Sequence, residues 1–181
     1  MKFLKLIGLL LDYPSDELLA ELHAAVRETG VVSLVAACDP DGMLDADERL
    51  QLASFITAQL ARDVLELQGA YVRDFDLTAE HSLHLTHHIF GEEKSRGPAL
   101  IDLGEFYKSH GLEADERELP DYLPVMLEFA SELSREEAHV FLAEVGKVLK
   151  VLADNLEKTS NTYAPLVRLV EKHASLTRLT A

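Results

Sequence analysis

Thiols and positive charge are what this chain has least of. Its single cysteine, Cys38, leaves no partner for an internal disulfide and no second thiol for a Cys-x-x-Cys metal site, and a reducing cytoplasm fits that usage. Against 32 aspartates and glutamates stand only 17 lysines and arginines, a formal net charge of -15. That balance excludes the positive footprint which nucleic acid or an anionic lipid surface requires. It favours a basic partner, or solubility alone. The apolar N-terminal run from Phe3 to Leu11 is punctuated by Lys2 and Lys5 and closed by Asp12-Tyr13-Pro14 without a small-residue cleavage site. It therefore reads as a short core helix, neither a signal peptide nor a membrane span. No sustained strand alternation, internal repeat or low-complexity tract is present, and no Gly-x-Ser-x-Gly elbow supplies a catalytic serine.

What is there is helical periodicity. With 181 residues the chain is long enough to bury about 70% of its unfolded surface as one domain, residues 1–181. Ser15 can cap a helix with Asp16 and Glu17 in its first turn, apolar positions at Leu18, Leu19, Leu22 and Val26, and a stop at Gly30. Val31 to Ala37 is a further short helix, and Asp39-Pro40-Asp41-Gly42 is a turn. The spacing from Asp45 to about Ala70 predicts one long, broad-faced helix with Leu50, Ala53, Phe55, Ile56, Leu60, Val64, Leu65 and Leu67 on its apolar face. Thr78 can cap a His-rich helix that ends near Gly91, and Gly97-Pro98 opens another that stops at Gly111, with Leu100, Ile101, Leu103, Phe106 and Tyr107 inward. Asp121 is a natural cap for a helix from Tyr122 to Leu133, with Pro124 tolerated in its first turn. Ser134 and Glu137 have capping-box spacing before a long helix through Leu152, and a last helix runs from Tyr163 to Leu179. The expected architecture is all-α, a single-domain bundle of about eight or nine helices.

Four histidines lie close together. His81, His84 and His88 would share one helical face, but a metal site needs a further ligand that no residue singles out. The ordinary expectation is that some of them pack or bond locally and the others are exposed. Lys94 and Arg96 precede a helix N-terminus, where an anion or carboxylate can be held, or where they pair with Glu92 and Glu93. This loop lacks the second glycine of a phosphate cradle. Cys38 sits in an apolar segment with no adjacent histidine, so it is expected to be structural. Between Pro120 and Pro124, Asp121 and Tyr122 are presented on a stiff turn, with Glu118 just before it.

Several of these segments together resemble a known family. Tyr71-Val72-x-x-Phe75-Asp76, Ser82-Leu83-x-Leu85, His88-x-x-Gly91-Glu92, Arg96-Gly97-x-Ala99-x-x-Asp102-Leu103 and Glu118-Leu119-Pro120-Asp121-Tyr122-Leu123-Pro124-x-x-Leu127-Glu128-Phe129 are similar to the delta-chain chaperones of respiratory nitrate reductase, within the wider TorD-like redox-enzyme maturation family. Leu11-Asp12-Tyr13-Pro14 agrees with them. The resemblance implies a TorD-like all-helical fold and a cytoplasmic chaperone. Such a protein binds the N-terminal segment of the apo catalytic subunit, assists molybdenum-cofactor insertion before membrane docking, and stays out of the mature enzyme. No cofactor or metal of its own, no catalysis and no membrane insertion are implied, and a monomer is expected. The wider family has Glu-Pro-x-Asp-His where this chain has Glu118-Leu119-Pro120-Asp121-Tyr122, so tyrosine stands in place of the histidine. The residues expected to contact a peptide are Tyr71, Phe75, His84, His88, Arg96, Glu118, Asp121 and Tyr122, in a groove that receives an amphipathic, basic helix. The alternatives are a chaperone for another molybdoenzyme, a helical adaptor, or a small metal-dependent enzyme using the histidines from His81 to His88.

Overall fold

The computed structural model describes residues 1–91, 94–112 and 118–175. Its organising pair is α1 (Phe3–Leu11) and α8 (Leu123–Glu132), which pack along one another. α1 is so apolar that both sides of it are buried, Phe3, Leu4, Ile7 and Leu11 completely. The approach is close at Gly8, where a Cβ would stand 3.0 Å from the Pro124 carbonyl oxygen. Between these two helices in the chain come α2 (Asp16–Thr29), α3 (Val31–Ala37), α4 (Ala46–Leu60), α5 (Val64–Tyr71), α6 (Leu85–Phe90) and α7 (Arg96–Ser109). After them come α9 (Arg135–Glu144), α10 (Gly146–Lys158) and α11 (Ala164–Ala174), of which α10 and α11 form the second main pair. One continuous core runs from Met1 to Ala174 and draws on α1, α4, α8, α10 and α11.

The expected caps are largely in place. Ser15 Oγ accepts from the Leu18 N–H at 3.1 Å, and Gly30 ends α2 at a φ of +80°. Ser134 and Glu137 close a capping box on α9. The all-helical class holds, with no strand among the described residues, but they contain eleven α-helices where eight or nine were expected. Two expected long helices are each divided. Residues 45–70 break at Ala61–Asp63, because the Asp63 carboxylate accepts from the N–H groups of Leu65 and Glu66 and starts α5. Of the expected apolar face, Ala53, Ile56 and Leu67 are buried and Phe55 and Leu60 pack against the core, while Leu50, Val64 and Leu65 are exposed. The helix after Ser134 breaks at Val145, which separates α9 from α10. Thr78 caps no long His-rich helix. Its hydroxyl donates to the Arg73 carbonyl, a 3-10 turn spans Ala79–His81, and α6 begins only at Leu85. In α7 the start lies two residues before Pro98; Ile101 faces outward, Phe106 is part-exposed with its ring packed on Phe129 and Phe141, and Tyr107 is buried. The expected pairing partners Glu92 and Glu93, and the expected end of the last helix at Leu179, lie outside the described residues.

Candidate functional site

Asp121 was expected to cap the helix that follows it. In the structure Tyr122 occupies the cap position without a capping bond from its side chain, and the Asp121 carboxylate turns the other way, fully buried, into a clasp. Its Oδ2 accepts from the Thr86 N–H at 3.1 Å, from the Thr86 hydroxyl, and from Arg96 Nη2 at 3.4 Å; its Oδ1 accepts from His84 Nδ1 at 3.3 Å. Arg96 Nε also donates to Thr86 Oγ1 at 2.9 Å. The backbone adds a single antiparallel bridge between His84 and Tyr122, with Leu85 N–H donating to the Asp121 carbonyl and Leu123 N–H to that of Leu83. Burial alone would raise the Asp121 pKa; the bonds from His84 and Thr86 more than offset it and hold the carboxyl below the usual carboxylate range. The anion that Arg96 holds is therefore one of the protein's own.

The aromatic residues lie immediately behind this clasp. A π-helical turn, Val72–Asp76, follows α5 and brings the Tyr71 and Phe75 rings to 4.7 Å, both of them buried. Such turns are frequent at functional sites. Tyr71 OH donates to the Leu11 carbonyl at 2.8 Å and lies 2.8 Å from Tyr122 OH, which reaches Asp12 Oδ1 at 3.1 Å. Two protons serve three contacts, so when Tyr71 donates to Leu11, the Tyr122 proton is divided between Asp12 and Tyr71. Burial is the first cause that raises both phenols well above the ordinary tyrosine value. This network ties the clasp to the C-terminal end of α1. It places Tyr71, Phe75 and Asp121 inside the molecule and not on a groove wall.

The histidines do not share one helical face. His81 sits in the 3-10 turn, where Nδ1 donates to the Asp74 carbonyl at 3.0 Å; His84 precedes α6 and binds Asp121; His88 Nε2 donates to the Ser82 carbonyl at 2.8 Å. Burial lowers the His88 pKa. Each already has a partner within the fold, and among the described residues no group of three or more metal-binding side chains occurs.

On the other side of α1 lies an apolar groove of about 500 Å³, within the range of ligand sites. Leu6, Leu9 and Leu10 of α1 form one wall. The opposite wall is the stripe Leu18, Leu19 and Leu22 on α2, of which only Leu19 is buried. Leu34, Cys38, Phe55, Gln59, Leu67 and Tyr163 are also on the lining. Burial raises the Cys38 thiol pKa and pushes that of Tyr163 up to about 12. Charge is confined to the rim. Lys2 and Lys5 are paired with Glu132 and Glu128 at 3.1 and 2.9 Å, while Asp12 and Glu21 are also on the lining. A small cleft of about 70 Å³, bounded by Asp12, Glu118, Tyr122 and Glu128, meets the groove at Lys5, Leu9 and Asp12. Of the eight residues expected at the site, Glu118 and Tyr122 reach this cleft; Tyr71, Phe75 and Asp121 are buried, and His84, His88 and Arg96 are half-buried and on the lining of neither the cleft nor the groove. The groove walls themselves were not expected. The nearest signal was the α2 stripe of four apolar positions, of which the fold buries only Leu19.

Residues 41–168 match the family model described as nitrate reductase delta subunit. The chain is 35% identical over 132 residues to the nitrate reductase molybdenum cofactor assembly chaperone NarJ of Escherichia coli K12, a match that covers 73% of this chain and 56% of that protein. It is 30% identical over 167 residues to a Bacillus subtilis 168 protein named "Probable nitrate reductase molybdenum cofactor assembly chaperone NarJ", covering 91% of this chain and 83% of the relative. The chain thus spans little more than half the length of the E. coli protein.

Proposed function

The chain belongs to the nitrate reductase delta subunit family, and from that premise we propose that it is an assembly chaperone for a respiratory nitrate reductase, acting by binding and not by catalysis. It takes the N-terminal segment of the apo catalytic subunit into the groove between α1 and α2. There it holds the subunit in the cytoplasm while the molybdenum cofactor is inserted, and it is absent from the finished enzyme. The observation that carries this reading is the half-covered apolar groove, whose rim lysines are each paired with a glutamate, on a chain of net charge -15. An amphipathic helix lays its apolar face in such a groove and leaves its basic residues at the rim. α1, nine residues long, offers a wall of about 13 Å, or two and a half turns of a bound helix. Glu118 and Tyr122 contact the segment from the small cleft. Tyr71, Phe75, His84, His88, Arg96 and Asp121 act indirectly, by fixing the end of α1 that carries Asp12. No helix among the described residues is long and apolar enough to cross a membrane.

Titration calorimetry with a synthetic N-terminal peptide of the nitrate reductase catalytic subunit tests the proposal. A desolvated apolar anchor is typically worth about 2 kcal/mol, or about thirtyfold in affinity, so Leu9→Asp and Leu22→Asp should each weaken binding by at least that factor while the protein stays folded. Cys38 lines the groove, so bound peptide should slow its alkylation. Unchanged affinity in both variants, with alkylation indifferent to peptide, would place the docking site elsewhere.

A further inference from the structure

The two ends of the groove are unlike, and contacts across the core show which residues stand at each. At the start of α1 the Phe3 ring lies 4.8 Å from that of His173, whose Nε2 is 3.3 Å from Glu48 in the first turn of α4. At that same end of α4 the Asp39 carboxylate accepts from the Leu44 N–H at 3.0 Å and from Arg49 Nη2 at 2.8 Å. Cys38, the residue before Asp39, is therefore at the Phe3 end of the groove. At the other end the Leu11 carbonyl accepts from Tyr71 OH at 2.8 Å, and the Tyr163 ring lies 5.9 Å from that of Tyr71 and 5.3 Å from that of Phe55, further along α4. Charge differs between the ends. Of the charged groups on the lining, Lys2 and Lys5 stand at the Phe3 half of α1, Asp12 follows Leu11, and Glu21 is on the opposite wall. Asp12 Oδ1 accepts from the Tyr13 N–H at 2.8 Å and faces the Tyr122 hydroxyl at 3.1 Å, which fixes the carboxylate, while Oδ2 accepts from no described residue. The cleft of about 70 Å³ that meets this end adds Glu118, along with a Glu128 already paired with Lys5.

We infer that the bound segment lies in the groove with one polarity: its amino end is at Asp12, with the α-ammonium group in the small cleft, and its chain runs toward Cys38. The inference rests on the groove being the docking site. The amino end of a helix carries about half an elementary positive charge, and an α-amino group with a pKa of about 7.7–8.0 adds most of a full charge at neutrality. Both are independent of the segment's side chains. The cleft has room for an ammonium group but not for a helix, whose diameter with side chains is about 10–12 Å. It therefore receives a chain terminus and not a chain that continues. The remainder of the catalytic subunit follows on from the Phe3 end, where Pro40 and Asp41 are exposed. Reversed polarity would set the free carbonyls of a helix C-terminus against Asp12 and Glu118. The partner class is thus a free, unacetylated amino terminus that enters an amphipathic helix within its first residues.

Cys38, the single cysteine of the chain, is a built-in reporter for the test. The catalytic-subunit N-terminal peptide, its α-amine left free, is prepared with a thiopyridyl-activated cysteine at its first residue or about nine residues later, the length of α1 at about 1.5 Å per residue. The later position should form the mixed disulfide with Cys38 about tenfold faster than the first, or more, because proximity raises the effective concentration of the thiol. Calorimetry supplies a second arm. Acetylating the α-amine should weaken binding to wild type about threefold to tenfold, and by less than about twofold to Asp12→Asn, whose amide oxygen still serves Tyr13 and Tyr122. Glu118→Gln, at an exposed position, should shrink the acetylation effect in the same direction. Faster reaction from the first position, equal reaction from both, or an acetylation effect unchanged in both variants overturns the inference and leaves the groove reading in place. No binding of the unaltered peptide, or binding without reaction at Cys38 from either position, removes the groove reading itself and this inference with it.

Discussion

At the scale of single residues, Asp121 bears the largest stake. Its carboxylate accepts from His84, from Thr86 twice and from Arg96, with none of its own surface exposed. Removing one partner from a buried ionic cluster typically costs about 3–5 kcal/mol, because the remaining charge loses its counterpart. Asp121→Ala should therefore lower the thermal midpoint by many degrees, measurable by circular dichroism. The pH dependence follows from the lowered pKa. A carboxyl held below its unfolded value of about 3.9 contributes stability that is fully present above that value and lost as pH falls through the folded one. The gap between wild type and Asp121→Ala should thus be constant from neutrality to about pH 4 and narrow below it. A gap that closes already near pH 6 would assign the stabilisation to some group other than this carboxylate. The residue was singled out by sequence for the right prominence and the wrong bond: an aspartate before a helix is ordinarily its cap, and nothing local announces partners 25 to 37 positions earlier in the chain.

At the scale of elements, the start of α5 depends on one side chain. Asp63 Oδ1 accepts from Leu65 and Glu66 N–H at 3.0 and 3.1 Å. Asp63→Ala should cost about 1 kcal/mol, the usual worth of such a cap, read from denaturant melts. Gly8→Ala should cost more, about 1–3 kcal/mol, since the new Cβ would stand 3.0 Å from a backbone oxygen of α8 that cannot swing aside. An alanine variant as stable as wild type would show that α1 can move away from Pro124. These two positions also mark how far elements were legible. The division before α5 could have been read from Asp63 and Glu66, which have capping-box spacing, but the apolar rhythm running through residues 61–63 outweighed it. The break at Val145 had no such mark. No side chain caps α10 there, and the apolar periodicity continues across it. The break is instead accompanied by α9 packing on both α8 and α11, while α10 packs on α11 and the residues around His81. The caps at Ser15 and Ser134 and the stops at Gly30, Gly91 and Gly111 were all readable, because each depends on a residue's own chemistry. The groove was less so, since an apolar stripe does not declare whether another helix covers it.

At the scale of the whole molecule, the proposed docking mode assigns charge and groove to different steps of association. The net charge of -15 is spread over the surface, and the two lysines on the groove rim are each paired with a glutamate of α8. An approaching basic segment therefore meets an acidic field before it meets any apolar contact. Fields of this kind raise association rates by about ten- to a thousandfold at low ionic strength, and they are screened beyond about 10 Å at 0.1 M salt. Once the segment is seated, its retention depends on apolar contact within the groove, which screening barely touches. Stopped-flow measurements with the catalytic-subunit N-terminal peptide should accordingly show the on-rate falling about tenfold or more as salt rises from low to high, with the off-rate changing by less than about twofold. Glu21→Lys, on the rim and exposed, should lower the on-rate at low salt and leave the melting temperature nearly unchanged. If the on-rate is indifferent to salt, the acidity serves solubility alone. If instead the off-rate carries the salt dependence, the bound segment is held by ion pairs at the rim, and the apolar groove is not what retains it.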